Sequence, residues 1–321
     1  MITASLESGG RVIHNVFALN GEDENSATFA LGYAFEQSSH FLNEVFFKLL
    51  GLTEISSHVT INLQKHGADG GFTDIEVVTD SVHVIFEAKK NWELPSQSQL
   101  QRYAGRFSDK SKSNLFVTVS ASDEAYALRN QVCEIARIKI KHISWNQLHE
   151  AVLKARKGAS SLEEKLWLKQ LSNHLNGYTT MNRASSNMVY VVSLKTNSIN
   201  NETGYSWIDV VEEDSAYFHP VGNHWPVSPP HYIGFRYHGK LQSIYRINDF
   251  KVVRNLKAEN SNWDTTNSDH FVYSLGKVIR PPYEIRSENI RSLRVWCALD
   301  TLLTGEYKTI REARDATQRR T

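Results

Sequence analysis

Along the first half of the chain the apolar positions change period several times. Phe29, Leu31 and Phe35, then Phe41, Val45 and Leu49, recur at helical spacing and predict helices over 24–35 and 40–50. After Gly70-Gly71 the period shortens. Residues 72–79 and 82–90 are rich in β-branched side chains and flank Asp80-Ser81, the pattern of a two-residue hairpin. Pro95-Ser96 opens a helix to about residue 107, residues 115–120 form a buried strand, and a helix is expected over 123–135. A strand over 138–143 follows. Ser144 and Gln147 have capping-box spacing, which starts another helix, and a last one spans 162–175.

From Asn176-Gly177 to Asn187 the chain is polar and rich in helix breakers, which sets a boundary between domains at 1–178 and 187–321. Beyond it the composition shifts. Six of the seven prolines and four of the seven tryptophans follow residue 200, so the second half is expected to be strand- and turn-rich. Strands are expected over 188–193, over 205–211, and in a hairpin of 232–236 with 241–247 around His238-Gly239. Residues 290–303 and 309–317 are expected to be helical. The fold class is therefore α/β in the first domain, a mixed central sheet flanked by helices, with a C-terminal α+β domain.

Length and composition narrow the classes. A chain of 321 residues exceeds the usual single domain. With 36 Lys and Arg against 35 Asp and Glu, any nucleic-acid contact must come from local basic patches. Cys133 and Cys297 alone cannot hold an iron–sulfur cluster or a four-thiolate zinc site, and both are expected to fill core space in a reducing cytoplasm. No apolar run reaches the roughly 18 residues of a membrane span, so a cytoplasmic protein with no membrane partner is expected.

The hairpin carries the chemistry. If Asp80 and Ser81 are the turn, paired positions sum to 161, and Asp74 faces Glu87 with Cβ atoms about 5 Å apart. Lys89 falls on the same face, while Ile75 and Val77 point away opposite Phe86 and Val84. Two adjacent carboxylates repel, so such a pair expects a cation between them, and Mg²⁺ needs only one or two carboxylates. Glu76 shares this face, as an accessory ligand or a solvated group. His66 and His83 are expected to be structural or exposed. Four acidic-x-Lys triplets occur, but only Glu87-Ala88-Lys89 sits on an apolar strand with a second acid in register one strand earlier.

These residues resemble the PD-(D/E)XK nuclease superfamily, the restriction-endonuclease-like enzymes. The family's Asp on its second core strand matches Asp74, and its acidic-x-Lys triplet matches Glu87-Ala88-Lys89; Thr73 stands where the family has proline. Gln99-Leu-Gln-Arg-Tyr103 on the following helix matches the Gln-x-x-x-Tyr element of the RecB-like branch, and Gln99, Arg102, Tyr103 and Arg106 share one helical face. The resemblance covers about residues 20–150. It implies that Asp74 and Glu87 hold Mg²⁺, with Mn²⁺ as a substitute, that the Ala88 carbonyl is a further ligand, and that Glu24 completes the metal site, with Glu22 and Glu36 as competitors. It further implies that Lys89 assists the nucleophile and that Gln99 and Tyr103 position the substrate.

The expected activity is Mg²⁺-dependent endonucleolytic hydrolysis of DNA, RNA being the weaker candidate, in restriction or antiviral defence. Rivals are a repair exonuclease, a ligand-gated effector nuclease and a non-catalytic nucleic-acid-binding protein. In the second domain, aromatics such as Trp207, Phe218 and Trp225 either stack bases or pack a core. Arg280, Arg286, Arg291 and Arg294 form a cationic cluster. A recognition module, a small-nucleotide site and a homo-oligomer interface are the expected roles there.

Overall fold

The computed structural model describes residues 6–8, 11–21, 23–55, 58–67, 70–107, 113–179, 187–200, 203–263, 266–288, 290 and 292–320. Glu22 and Arg291, and residues 180–186 of the expected boundary segment, lie outside these. The chain divides into two compact units, Met1–Asn182 and Arg183–Thr321. Each is built on one six-stranded mixed sheet with helices. No described helix is long and apolar enough to cross a membrane.

In the first unit, α1 (Glu24–Gln37) begins where the Asp23 carboxylate accepts from the Ser26 N–H, satisfying a donor that a helix start leaves open. The expected helix over 40–50 divides into α2 (Ser39–Asn43) and a π-helical turn, Glu44–Leu49, that lets Val45 and Phe46 reach the core. Then come β1 (Thr60–His66), β2 (Phe72–Val78) and β3 (Val82–Ala88), each antiparallel to the one before. Next are α3 (Gln97–Ala104), capped by Ser96, and β4 (Ser113–Ser120), parallel to β3. The expected helix over 123–135 is a correction. Only α4 (Glu124–Asn130) is helical, and Glu134–Ile135 forms β5, antiparallel to β6 (Ile138–Ser144) around a turn where Ala136 and Arg137 both have positive φ. Helices α5 (Trp145–Gly158), with both hydrogen bonds of its Ser144/Gln147 capping box, and α6 (Leu162–Leu175) complete the unit.

The strand order is β1-β2-β3-β4-β6-β5. One face, through Ile75, Val77, Val84, Phe86 and Val117, packs against α1, α2, α5 and α6. The other, through Ile85 and Phe116, is covered by Leu100, Tyr103 and Ala104 of α3. β3 is buried at every position, as a strand between two helical layers must be.

The second unit runs β7 (Met188–Ser193), α7 (Trp207–Glu212), β8 (Ala216–Pro220), β9 (Tyr232–Tyr237), β10 (Lys240–Val253), β11 (His270–Ile279), β12 (Arg294–Ala298), α8 (Leu299–Leu303) and α9 (Ile310–Gln318), besides shorter pieces. Its sheet order is β8-β11-β10-β9-β7-β12. Two expectations are corrected here. Residues 205–211 are mostly helix because Ser206 and Asp209 form a reciprocal capping box that outweighs the β-branched run after it. Residues 290–303 are strand before helix, since β12 gains a ladder with β7 that a local pattern does not reveal. Cys297 is buried, but Cys133 is exposed and is not core filler.

Candidate active site

The β2–β3 register sets the geometry. Ile75 pairs with Phe86 and Val77 with Val84, a sum of 161 throughout. The turn is tied by Thr79, whose Oγ1 accepts from the N–H groups of Ser81 and Val82 at 3.2 and 2.9 Å. At the far end the ladder gives way to a side-chain contact: the Ala88 N–H donates to Asp74 Oδ2 at 2.7 Å. In extended chain the N–H and C=O of one residue leave the same edge, so the Ala88 carbonyl leaves β3 on its β2 side.

Asp74 and Glu87 are both buried, at 5% and 3% exposure. Asp74 Oδ1 accepts from the Gln64 amide at 3.0 Å. Glu87 Oε1 accepts from the Gln99 amide, and Glu87 Oε2 is buried with no hydrogen-bond partner. Burial pushes the Asp74 carboxyl up, the Ala88 N–H offsets part of this, and the Glu24 charge adds to it. Burial also pushes Glu87 up, and the Asp74 charge raises it further. The pair releases its protons over a range reaching from about 6 to about 8.

Lys89 Nζ donates to Glu24 Oε1 at 2.9 Å and lies 3.6 Å from Glu87 Oε1. Burial alone would lower this ammonium, but Glu24, Glu87 and Asp74 outweigh it and hold it above the usual lysine value. The Lys89 backbone is pinned on both sides: its N–H donates to the Val119 carbonyl at 2.7 Å, and its carbonyl accepts from Trp145 Nε1 at 2.9 Å.

The structure thus brings Asp74, Glu87, Lys89, Glu24, Gln99 and the Ala88 backbone together. Glu24 meets the cluster through Lys89. Tyr103 stands one step back: its hydroxyl donates to the Phe72 carbonyl at 2.6 Å, and its ring blocks any Cβ at Gly71. Arg106 donates to the Gly71 carbonyl at 2.6 Å and the Lys65 carbonyl at 2.8 Å, so it ties α3 to the β1–β2 end; Arg102 is exposed. Glu76 is neither an accessory ligand nor solvated. It is fully buried and accepts from Thr73 and Lys65 at 2.9 Å each, with Arg106 and His83 both at 3.5 Å. Burial pushes Glu76 up, but the bonds from His83, Lys65 and Thr73 prevail and hold it at about 2.

Sequence reasoning misses Gln64 and Asn25. Gln64 donates to both Asp74 and Asn25, the latter at 3.3 Å, and has φ of 47°, a left-handed conformation rare outside glycine. Neither residue belongs to a motif, and β1 is not apparent from the chain's pattern. Among the described residues no three His, Cys, Asp or Glu side chains group to hold a metal ion. A cation here would therefore rest on two carboxylates and a backbone carbonyl, and the unpartnered Glu87 Oε2 fits that role. The sequence matches no family model and no curated protein, and no solved structure matches the chain.

Proposed function

We propose that the chain is a metal-dependent nuclease that hydrolyses phosphodiester bonds of DNA, and that the first unit is the restriction-endonuclease-like core implied by the resemblance of Asp74 and Glu87-Ala88-Lys89. The observation that carries this reading is the buried pair itself. Two buried carboxylates side by side, one oxygen lacking any partner, and an ammonium 3.6 Å away form a site that carries excess negative charge once both carboxyls have lost their protons, and so suits a further cation. Asp74, Glu87 and the Ala88 carbonyl would hold Mg²⁺ or Mn²⁺. When bound, the ion supplies Lewis-acid polarisation of a phosphoryl oxygen.

The chain's own residues then have definite tasks. Lys89 is held protonated by its three carboxylate neighbours, so it acts as a hydrogen-bond donor and charge stabiliser, not as a base. It would orient the attacking water and offset charge on the phosphorus oxygens as the bond to the leaving sugar oxygen breaks. Gln99 fixes the Glu87 carboxylate and Gln64 fixes that of Asp74, so both are positioning residues. Restriction or antiviral defence is the biological setting we favour.

The test is incubation of the purified chain with supercoiled DNA and Mg²⁺ or Mn²⁺, with an RNA control. Nicking that is lost with chelator and in Asp74→Ala is the expected result. Cleavage undiminished by chelator, or retained in Asp74→Ala, overturns the reading.

A further inference from the structure

The second unit contains a cleft of about 530 Å³, a size typical of small-molecule sites, lined in part by residues of β7, β8 and β12. One side is formed by Trp207 and Phe218, whose rings lie 4.8 Å apart. Trp225 also lines the cleft, its ring 4.7 Å from that of His219 and 10° from parallel, with the Arg294 guanidinium 4.2 Å from the Trp225 ring centre. His219 is locked in place. Its Nδ1 donates to the Pro220 carbonyl at 2.8 Å, which leaves Nε2 to accept from the Tyr273 hydroxyl at 2.6 Å. Burial keeps this ring neutral, with its value lowered to about 4.

The cleft's charge is one-sided. Lys195 and Arg294 line it, and no Asp or Glu does among the described residues, in a chain whose acids and bases are otherwise nearly equal. Lys195 is exposed and without an acidic partner among the described residues. Arg294 Nη1 is buried with no hydrogen-bond partner, a donor that ordinarily finds an acceptor. Aromatic walls select a flat π-system, and two cations without a counter-acid among the described residues select an anion attached to it.

We propose that this cleft binds a nucleotide, its base against Trp207 and Phe218 and its phosphate between Lys195 and Arg294. The site is independent of any cleavage by the first unit. Its nucleotide is either a free monophosphate or one base of a single strand.

Tryptophan fluorescence titration of the full chain with the four nucleoside monophosphates, the matching nucleosides and a short single-stranded oligonucleotide tests the proposal. At least one monophosphate or the oligonucleotide should saturate the signal. The matching nucleoside should bind at least about tenfold more weakly, because the charge-assisted contacts of its phosphate with Lys195 and Arg294 are lost. Saturation by the monophosphate assigns a free ligand, and saturation by the oligonucleotide alone assigns a strand. Lys195→Glu, at an exposed position that leaves the fold intact, should weaken binding at least about tenfold, and Arg294→Gln likewise. No saturable binding of any of these, or affinity unchanged in Lys195→Glu, overturns it.

Discussion

Glu87 carries one carboxylate oxygen bonded to Gln99 and another buried without a partner, a costly state for an ionised group. The pH dependence follows from the direction of its shift. In the folded chain Asp74 and Glu87 hold their protons to about 6 and about 8, whereas in the unfolded chain they ionise near the ordinary carboxylate range. The unfolded state therefore binds fewer protons between those limits, and the metal-free protein loses stability as pH rises from about 4.5 to about 8. Glu87→Gln removes the repulsion while keeping an acceptor for Gln99. With chelator at pH 8.5 it should be more stable than the parent by about 1–2 kcal/mol, and the gain should vanish at pH 5, as urea melts would read. Added Mg²⁺ should raise the parent's melting temperature at pH 8.5 more than at pH 6, and should not do so in Glu87→Gln. Lys89→Ala should leave the circular dichroism spectrum unchanged and lower plasmid nicking by at least about 100-fold, because charge on the phosphorus oxygens loses its donor. Nicking within a few-fold of the parent would remove Lys89 from the mechanism.

At the scale of elements, α3 is held over the β1–β2 end by a charged network centred on Glu76, and that helix carries Gln99 to Glu87. Glu76 has its value lowered to about 2, so its contribution is complete above the ordinary carboxylate value of 4.5 and is lost as pH falls toward 2. Glu76→Gln should destabilise the chain by about 3 kcal/mol at pH 7, since Lys65 and Arg106 lose their anion, and the difference should shrink below pH 4. Equal urea midpoints at pH 7 would contradict this. The β2–β3 hairpin is legible in the sequence because two-residue turn, alternation and register are local facts that agree with one another. So are α5 and α6, where caps and periodicity coincide. β1 is not legible, because its burial depends on α1 and β2, and Gln64 in the left-handed region interrupts its alternation. The run after Asp123 fails differently: its apolar residues fit a helix, but a positive-φ turn at Ala136-Arg137 and pairing with β6 make its end a strand. Of the site, Asp74, Glu87 and Lys89 can be placed from the strand alone. The role of Arg106, which is spent on the Gly71 and Lys65 carbonyls, depends on a β1–β2 end that the pattern leaves undefined.

For the molecule as a whole, the carboxylate pair and the aromatic cleft occupy separate units, Met1–Asn182 and Arg183–Thr321, each with its own buried apolar clusters. The first is gathered around β2, β3 and their helices; the second around β7, β10, β12 and α9, with a satellite around Trp207 and Trp263. A unit that closes its own core carries the free energy to fold without the other, and both lengths lie in the ordinary range of single domains. Residues 1–182 and 183–321, produced as separate chains, should each melt in one cooperative transition. The first should nick supercoiled DNA with Mg²⁺ and show no nucleotide-dependent fluorescence change, while the second should bind the nucleotide and cut nothing. Should 1–182 fail to melt cooperatively, its sheet depends on the rest of the chain. Should it fold yet cut only when 183–321 is restored, the chemistry assigned to Asp74, Glu87 and Lys89 requires the second unit, and nucleotide binding there becomes a means of controlling it.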